Sequence, residues 1–479
     1  MVEMPAFRPL LGMRTLLDRR RFLAVAGTTL LAKGSARGET TVPASLTIGY
    51  DDPGRAIAPD FIGLSYESAL LDSPDYFTPD NRSLIGLIRT LGAGGVLRFG
   101  GNTSERTVWT TGAAKPAPDR HFTTPAAIDR LAAFVRELGW RAIYGLNLAE
   151  NTPERAAGEA AYVARALGAD LIAFQIGNEP DGFGRWEAVR PASYDVAAFL
   201  AEWQTFHAAI LARVPAARFA GPDVAAETEW IAWFAGARPA NLALLTRHYY
   251  AAGPATDPGV TLVKLLGSAG QLDAVLRRLE GFSRTYRLPY RIAETNSVYA
   301  GGRPGVSDTL GAALWGTELM FQIATAGGVG INFHAGPDKV YTPIAGERAP
   351  HEVRPLYYGM LLFAQAVRGT LIPAQLQSDV DLAAYTVRAD DGALRICLIN
   401  KDARAARVRI DPGHDFAAAS AMRLIAPHLE AASGLTLGGA VVDALGRWAP
   451  SPPEMLEFER GHVLADLLGA SATLVHLQP

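Results

Sequence analysis

From Phe61 to about Asn332, short apolar runs rich in β-branched and aromatic residues alternate with longer stretches whose apolar positions recur at helical spacing. The runs predict strands at Phe61 to Glu67, Gly95 to Asn102, Arg141 to Leu148, Leu171 to Glu179, Ala217 to Val224, Leu242 to Tyr250, Pro289 to Asn296 and Gly328 to His334. Between them, Thr124 to Leu138 sets Ile128, Leu131, Phe134, Val135 and Leu138 on one helical face, and Tyr194 to Val214 reads as a further helix. Strands alternating with helices over this length predict an α/β chain with a (β/α)8 TIM barrel at about 59–368, rather than an open doubly wound sheet. No glycine-rich phosphate loop follows the first strand, which removes the dinucleotide-binding signature.

Beyond about Gly369 the period changes. Ala383 to Arg388, Leu394 to Ile399, Ala406 to Ile410 and Ala472 to Leu477 read as short strands, with Asp390-Asp391-Gly392 as a hairpin turn between the first two. Ala44 to Tyr50 is a strand ahead of the barrel that is free to join them. Residues 40–58 plus 369–479 therefore predict a second, smaller all-β sandwich domain.

Polar residues crowd the C-terminal ends of the barrel strands, where such barrels carry their sites. Tyr66 and Glu67 end the first strand, Arg98 and Asn102 the second, Asn147 the third, and Asn178 and Glu179 the fourth. His248, Tyr249 and Tyr250 end the sixth, Glu294 the seventh, and His334 the eighth. A structural role is the competing account of each one alone; the set at one rim points to a site.

Composition narrows the partners. A formal charge of −3 and a pI near 6.3 lack the clustered basic footprint of a nucleic-acid binder. No apolar run is long enough to predict a membrane-spanning helix. Asp18-Arg19-Arg20-Arg21-Phe22-Leu23, the apolar stretch Ala24 to Ala32 and Gly34-Ser35-Ala36 resemble a twin-arginine export signal over 1–36, which implies an exported, periplasmic or extracellular protein. A basic arm is the alternative. The single cysteine, Cys397, sits in a strand-like run and reads as a core residue; it excludes an intramolecular disulfide.

The chemistry lies in two glutamates that end buried strands, Glu179 in Gln175-Ile176-Gly177-Asn178-Glu179-Pro180 and Glu294 in Ile292-Ala293-Glu294-Thr295-Asn296. Desolvating a carboxylate there costs several kcal/mol unless partners offset it. A buried acid paired with an arginine is the ordinary account of either. Two of them fit the paired acids of glycoside cleavage. Metal binding has little support, because His334 and His351 form no ligand-spaced cluster, and no cofactor is expected.

Asn178-Glu179-Pro180 with a second Glu on the seventh strand resembles the retaining glycoside hydrolases built on this barrel. Four stretches sharpen the resemblance: Phe61-Ile62-Gly63-Leu64-Ser65-Tyr66-Glu67, Gly95 to Asn102, Gln175 to Asp181, and Glu294 to Ser297. Together they are similar to glycoside hydrolase family 79, the heparanase and bacterial β-glucuronidase family, over roughly 40–479. The resemblance implies Glu179 as acid/base, Glu294 as nucleophile, and a glucuronic-acid-containing saccharide as substrate. Asn178 is expected to meet the sugar 2-hydroxyl, Glu67 more distant hydroxyls, and His248 or Tyr250 to orient Glu294. The Tyr299 hydroxyl and the Gly301 and Gly302 amides are implied to grip the C6 carboxylate, with Asn102, His334 and Tyr341 as companions at the rim. The absence of a basic run favours an exo-acting β-glucuronidase over an endo-acting heparanase. An exo-β-glycosidase for a neutral xyloside or glucoside, and a noncatalytic glucuronate-binding barrel, are the other readings.

Overall fold

The computed structural model describes residues 41–112, 120–187 and 189–479; the export-signal reading of 1–36 falls outside them. The described residues from 41 to 479 form one compact unit. At its centre is a closed parallel barrel of eight strands. They are β1 (Gly63–Glu67), β2 (Val96–Gly100), β3 (Arg141–Leu146), β4 (Leu171–Ile176), β5 (Phe219–Val224), β6 (Leu242–Ala252), β7 (Tyr290–Val298) and β8 (Ile331–Ala335). A helix follows each strand, from Arg82–Thr90 after β1 to Pro355–Ala366 after β8.

Local chemistry starts these helices. Thr124, Thr152 and Thr309 each cap a first turn by accepting a backbone N–H, and Pro125 and Pro153 occupy first-turn positions that need no donor. Asp195 accepts from both Ala197 and Ala198 to open Val196–Arg213. Inside the barrel floor, Val96, Ile143, Ala173, Ala220 and Leu244 pack together and fill that end, while such barrels carry their sites at the C-terminal rim.

Two strands differ from expectation for reasons that matter to the site. The expected strand to Glu179 is regular only to Ile176, because Gly177 at φ 85° and Glu179 at φ 49°, ψ 49° turn the chain left-handed. A non-glycine residue held there stores strain, which recurs at functional sites. In β6 the register against β7 shifts between Arg247 and His248 and brings His248 level with Glu294.

Two further sheets pack together. Val42–Ile48 lies between Ala374–Ser378 and Ala406–Asp411 in a five-stranded sheet. Its Leu46, Ile48, Val408 and Ile410 share a core with Ile396, Leu398, Val475 and Leu477 of an eight-stranded sheet. The other face of that sheet, through Cys397, Ile399, Leu424 and Leu474, joins the barrel core. Burial on both faces explains why Leu394–Asn400 is apolar without alternation. Cys397 is a buried free thiol, as a core residue should be. The strands Ala374–Ser378, Ala418–Ile425 and His462–Leu467 escaped the sequence reading. Among the described residues, no helix is long and apolar enough to cross a membrane.

Candidate active site

The site is built around Arg98, which points up the barrel axis from β2 and is 1% exposed. Its guanidinium donates to Gln175 Oε1 at 2.9 Å, Ser65 Oγ at 3.2 Å, Glu294 Oε2 at 2.6 Å, Asn178 Oδ1 at 2.7 Å and Asp223 Oδ2 at 2.5 Å. Strands β1, β2, β4, β5 and β7 are thereby tied to one planar cation, whose fork suits several acceptors at once. Gln175 spreads the net further, donating to Asp223 Oδ1 at 2.6 Å and Thr246 Oγ1 at 3.2 Å.

Glu179 and Glu294 stand above this layer. An oxygen of each, with a His248 ring nitrogen, lies within 4.8 Å of the others. Their environments differ. Burial pushes Glu294 up, but the positive charges of His334, His248 and Arg98 outweigh it and hold its carboxyl below the ordinary range. Tyr250 donates its hydroxyl to Glu294 Oε1 at 2.8 Å and fixes the other oxygen. Burial also pushes Glu179 up; His248 opposes it, Glu294 and Asp181 reinforce it, and the net direction is upward. One carboxyl is thus held ionised and its neighbour is favoured protonated.

His248 occupies a different place from the one expected. Its Nδ1 lies 2.7 Å from Glu179 Oε1 and its Nε2 3.1 Å from Asp223 Oδ2. With 1% exposure and both nitrogens engaged, it orients Glu179 and leaves the hold on Glu294 to Tyr250; it is not free to touch a substrate. Burial lowers the affinity of His248 for its proton, but Asp223 and Glu294 more than reverse this and raise its pKa to about 10. Asp223 is correspondingly held at about 2, its burial outweighed by Arg98 and His248.

The remaining expected residues gather around the pair. Asn178 is buried, with its amide nitrogen 3.2 Å from Asn102 Oδ1, and Asn102 itself is exposed at the rim. His334 bridges the site, 3.4 Å from Glu294 and 3.3 Å from Glu67. Thr103 donates both its N–H (2.8 Å) and its hydroxyl (2.6 Å) to Glu67. Tyr250 neighbours Tyr299 and Tyr341, with ring centroids 6.4 and 6.3 Å away. Tyr341 is buried and Tyr299 is half exposed.

Gly302 departs from expectation. Its N–H already donates to the Val298 carbonyl at 3.1 Å, within the turn, so it is not a free anion donor. Its φ of +87° and the Tyr341 backbone nitrogen, which a Cβ would meet at 2.7 Å, give the glycine a steric reason instead. The Gly301 N–H donates to no protein acceptor among the described residues. The Lys339 side chain passes 3.7 Å from where a Gly301 Cβ would stand.

Sequence reading missed Asp223, Gln175 and Glu105, and noted Arg98 only as a strand-end polar residue. Glu105 is buried and accepts from the N–H groups of Asn178 (2.8 Å), Leu148 (2.8 Å) and Ala149 (2.6 Å), so it pins the ends of β3 and β4. Asp223 carried one signal, an acid within the run Phe219–Val224. Glu179, His248 and Glu294 form the grouping closest to a metal-ligand set, but a dication there would meet Arg98 2.6 Å from Glu294 and a His248 favoured in its charged form. The donor chemistry does not suit one.

No protein-family model matches the chain. Over 426 residues it is 27% identical to a β-glucuronidase of Aspergillus niger, covering 78% of each chain. It is 26% identical over 402 residues to a β-glucuronidase of Neurospora crassa, covering 70% of this chain and 71% of that one. Its fold matches a 4-O-α-L-rhamnosyl-β-D-glucuronidase from Fusarium oxysporum 12S with a TM-score of 0.76 at 18% identity, over 91% of this chain and 99% of that one. The chain is a glycoside hydrolase. A family 51 arabinofuranosidase from Xanthomonas axonopodis pv. citri has the same fold at a TM-score of 0.67 and 17% identity, covering 91% of this hydrolase and all 100% of that chain. Architecture alone therefore does not choose the sugar.

Proposed function

We propose that the chain is a retaining exo-β-glucuronidase that removes terminal β-linked glucuronic acid through a covalent glycosyl-enzyme intermediate. The observation that carries the mechanism is the oppositely tuned pair, Glu179 and Glu294, with carboxylate oxygens within 4.8 Å. Retaining enzymes hold their carboxyls about 5–5.5 Å apart, whereas inverting ones leave about 6.5–9.5 Å for a water. Glu294, ionised and held by Tyr250 and Arg98, attacks the anomeric carbon. Glu179 gives its proton to the departing oxygen, and the imidazolium of His248 steadies the carboxylate that results. In the second half Glu179 takes a proton from water, which attacks the same carbon and releases Glu294.

For the sugar, the reading rests on the two β-glucuronidase relatives and on the loop after β7. Tyr299, Tyr341 and the Gly301 N–H are assigned to the C6 carboxylate. Glu67 and Asn178 are assigned to sugar hydroxyls, and the chain is read as exported. Glu294→Gln should abolish turnover of every aryl β-glucuronide. Glu179→Ala should slow substrates with poor leaving groups most, because an activated phenol departs with little protonation. An equal loss in the glycosylation step across leaving groups would show that the two roles are wrongly assigned.

A further inference from the structure

A crevice of about 530 Å³ is lined by Ala364 and Gln365, at the C-terminal end of Pro355–Ala366, and by residues of the eight-stranded sheet packed on that helix. Barrel helices run back from the rim, so this end lies about 18 Å of helix away from the level of Glu179 and Glu294, at the opposite end of the barrel. The crevice shares no residue with the catalytic site. A junction between packed layers is a favoured place for ligand pockets, and the volume falls in the usual range.

Its walls carry a specific chemistry. On the sheet, Arg395 stands opposite His476 and His476 opposite Ser420, a polar row across three neighbouring strands. The next row on the same face supplies Leu474 and Met422, and Pro450 closes an apolar floor. Arg423 is occupied by a fork onto Glu454 at 2.8 and 2.9 Å. Arg368 and Arg395 pair with no carboxylate among the described residues; Arg395 spends one nitrogen on the Arg368 carbonyl at 2.8 Å. Burial and the charge of Arg395 lower the pKa of His476, which favours the neutral ring that both donates and accepts.

Guanidinium groups suit a carboxylate, a serine and a neutral imidazole suit sugar hydroxyls, and the apolar floor suits the C–H face of a pyranose. We propose that this crevice is a second saccharide site, which holds a uronic acid residue through Arg368, Arg395, His476 and Ser420. The choice of a uronic acid over other acidic sugars rests on the glucuronidase reading.

The test is titration calorimetry of the full chain with D-glucuronate, alongside turnover of an aryl β-glucuronide. Two glucuronate sites are expected, and the pair Arg368→Ala/Arg395→Ala should leave one while kcat/KM on the aryl glucuronide stays within about twofold. Arg368→Ala alone, which removes no ion pair, is the second variant should the pair fold poorly, and it should weaken the same site. Glucuronate binding that neither change affects overturns the proposal. Inorganic phosphate displacing glucuronate from this site, with D-glucose unable to compete, would make it a general anion site and overturn it as well. Aryl glucuronide turnover without arginine-dependent binding sinks the crevice alone. Arginine-dependent binding without turnover sinks the catalytic reading and leaves the crevice standing.

Discussion

Replacing His248 by glutamine removes the positive charge that lies 2.7 Å from Glu179 and 3.1 Å from Asp223. At an effective dielectric near 20, a charge pair at such a distance interacts by about 5–6 kcal/mol before desolvation is subtracted, which is several pKa units in gross terms. In the wild type His248 lowers the pKa of both Glu179 and Glu294, so its loss moves both upward. The signs then fix the profile. The enzyme needs Glu294 ionised, so the acid limb of kcat/KM is lost as pH falls through that group's depressed pKa. It needs Glu179 protonated, so the basic limb is lost as pH rises through a pKa above the ordinary range. Because the two carboxyls interact, the limbs report the pair rather than either alone. In His248→Gln both limbs should move to higher pH, the basic one by at least about one unit, since Glu179 touches the imidazole directly. Phenyl β-glucuronide is the appropriate substrate, because its poor leaving group keeps protonation in the measured step. A basic limb that stays in place would mean that His248 is neutral in the free enzyme, and the argument for the charged imidazole would fail.

Other outcomes follow from the same geometry. Asp223, at about 2 in the fold, contributes stability that is full above its unfolded pKa and is lost as pH falls from about 4 toward 2, roughly 2–3 kcal/mol in all. Thermal melts of Asp223→Asn should lack that part of the acid dependence, and an unchanged acid slope would contradict the pairing. Arg98→Met leaves Glu294 and Asp223 buried without their cation; it should cost about 3–5 kcal/mol of stability in denaturant unfolding and abolish activity. Gly302→Ala must displace Tyr341 and should lower kcat/KM on glucuronides. Tyr299→Phe and Tyr341→Phe should each lower glucuronide kcat/KM roughly ten- to a hundredfold, given about 1.5–3 kcal/mol per charge-assisted hydrogen bond, while glucoside turnover changes little. A glucuronide-to-glucoside ratio unmoved by both would favour the neutral-sugar reading.

The barrel was legible because its strands are buried apolar runs and several of the intervening helices have their own period and cap. Thr124 and the apolar face Ile128 to Leu138 announce one helix without any tertiary information. The sandwich was less legible. Val42–Ile48 pairs in parallel with Ala406–Asp411, and no local pattern encodes a partner so far along the chain. Strand ends at the rim were misjudged where backbone strain intervenes: Gly177 and Glu179 leave β4 early, and nothing in their identities fixes a left-handed φ.

The same distinction explains which site residues were found. Glu179 and Glu294 are conspicuous because a carboxylate closing an apolar strand is a local anomaly. Asp223 is no less buried, but it follows a glycine and a proline in Gly221-Pro222-Asp223, where an acid reads as a turn. Its role exists only once β2, β5 and β6 curve round to bring Arg98 and His248 to within 2.5 and 3.1 Å of it. Arg98 is the converse case, one residue whose acceptors come from four other strands. Barrel closure makes that cation the common neighbour of the groups that tune the pair. The identities of the acid and the nucleophile are therefore local in the sequence, whereas the protonation states that separate their roles belong to the closed barrel.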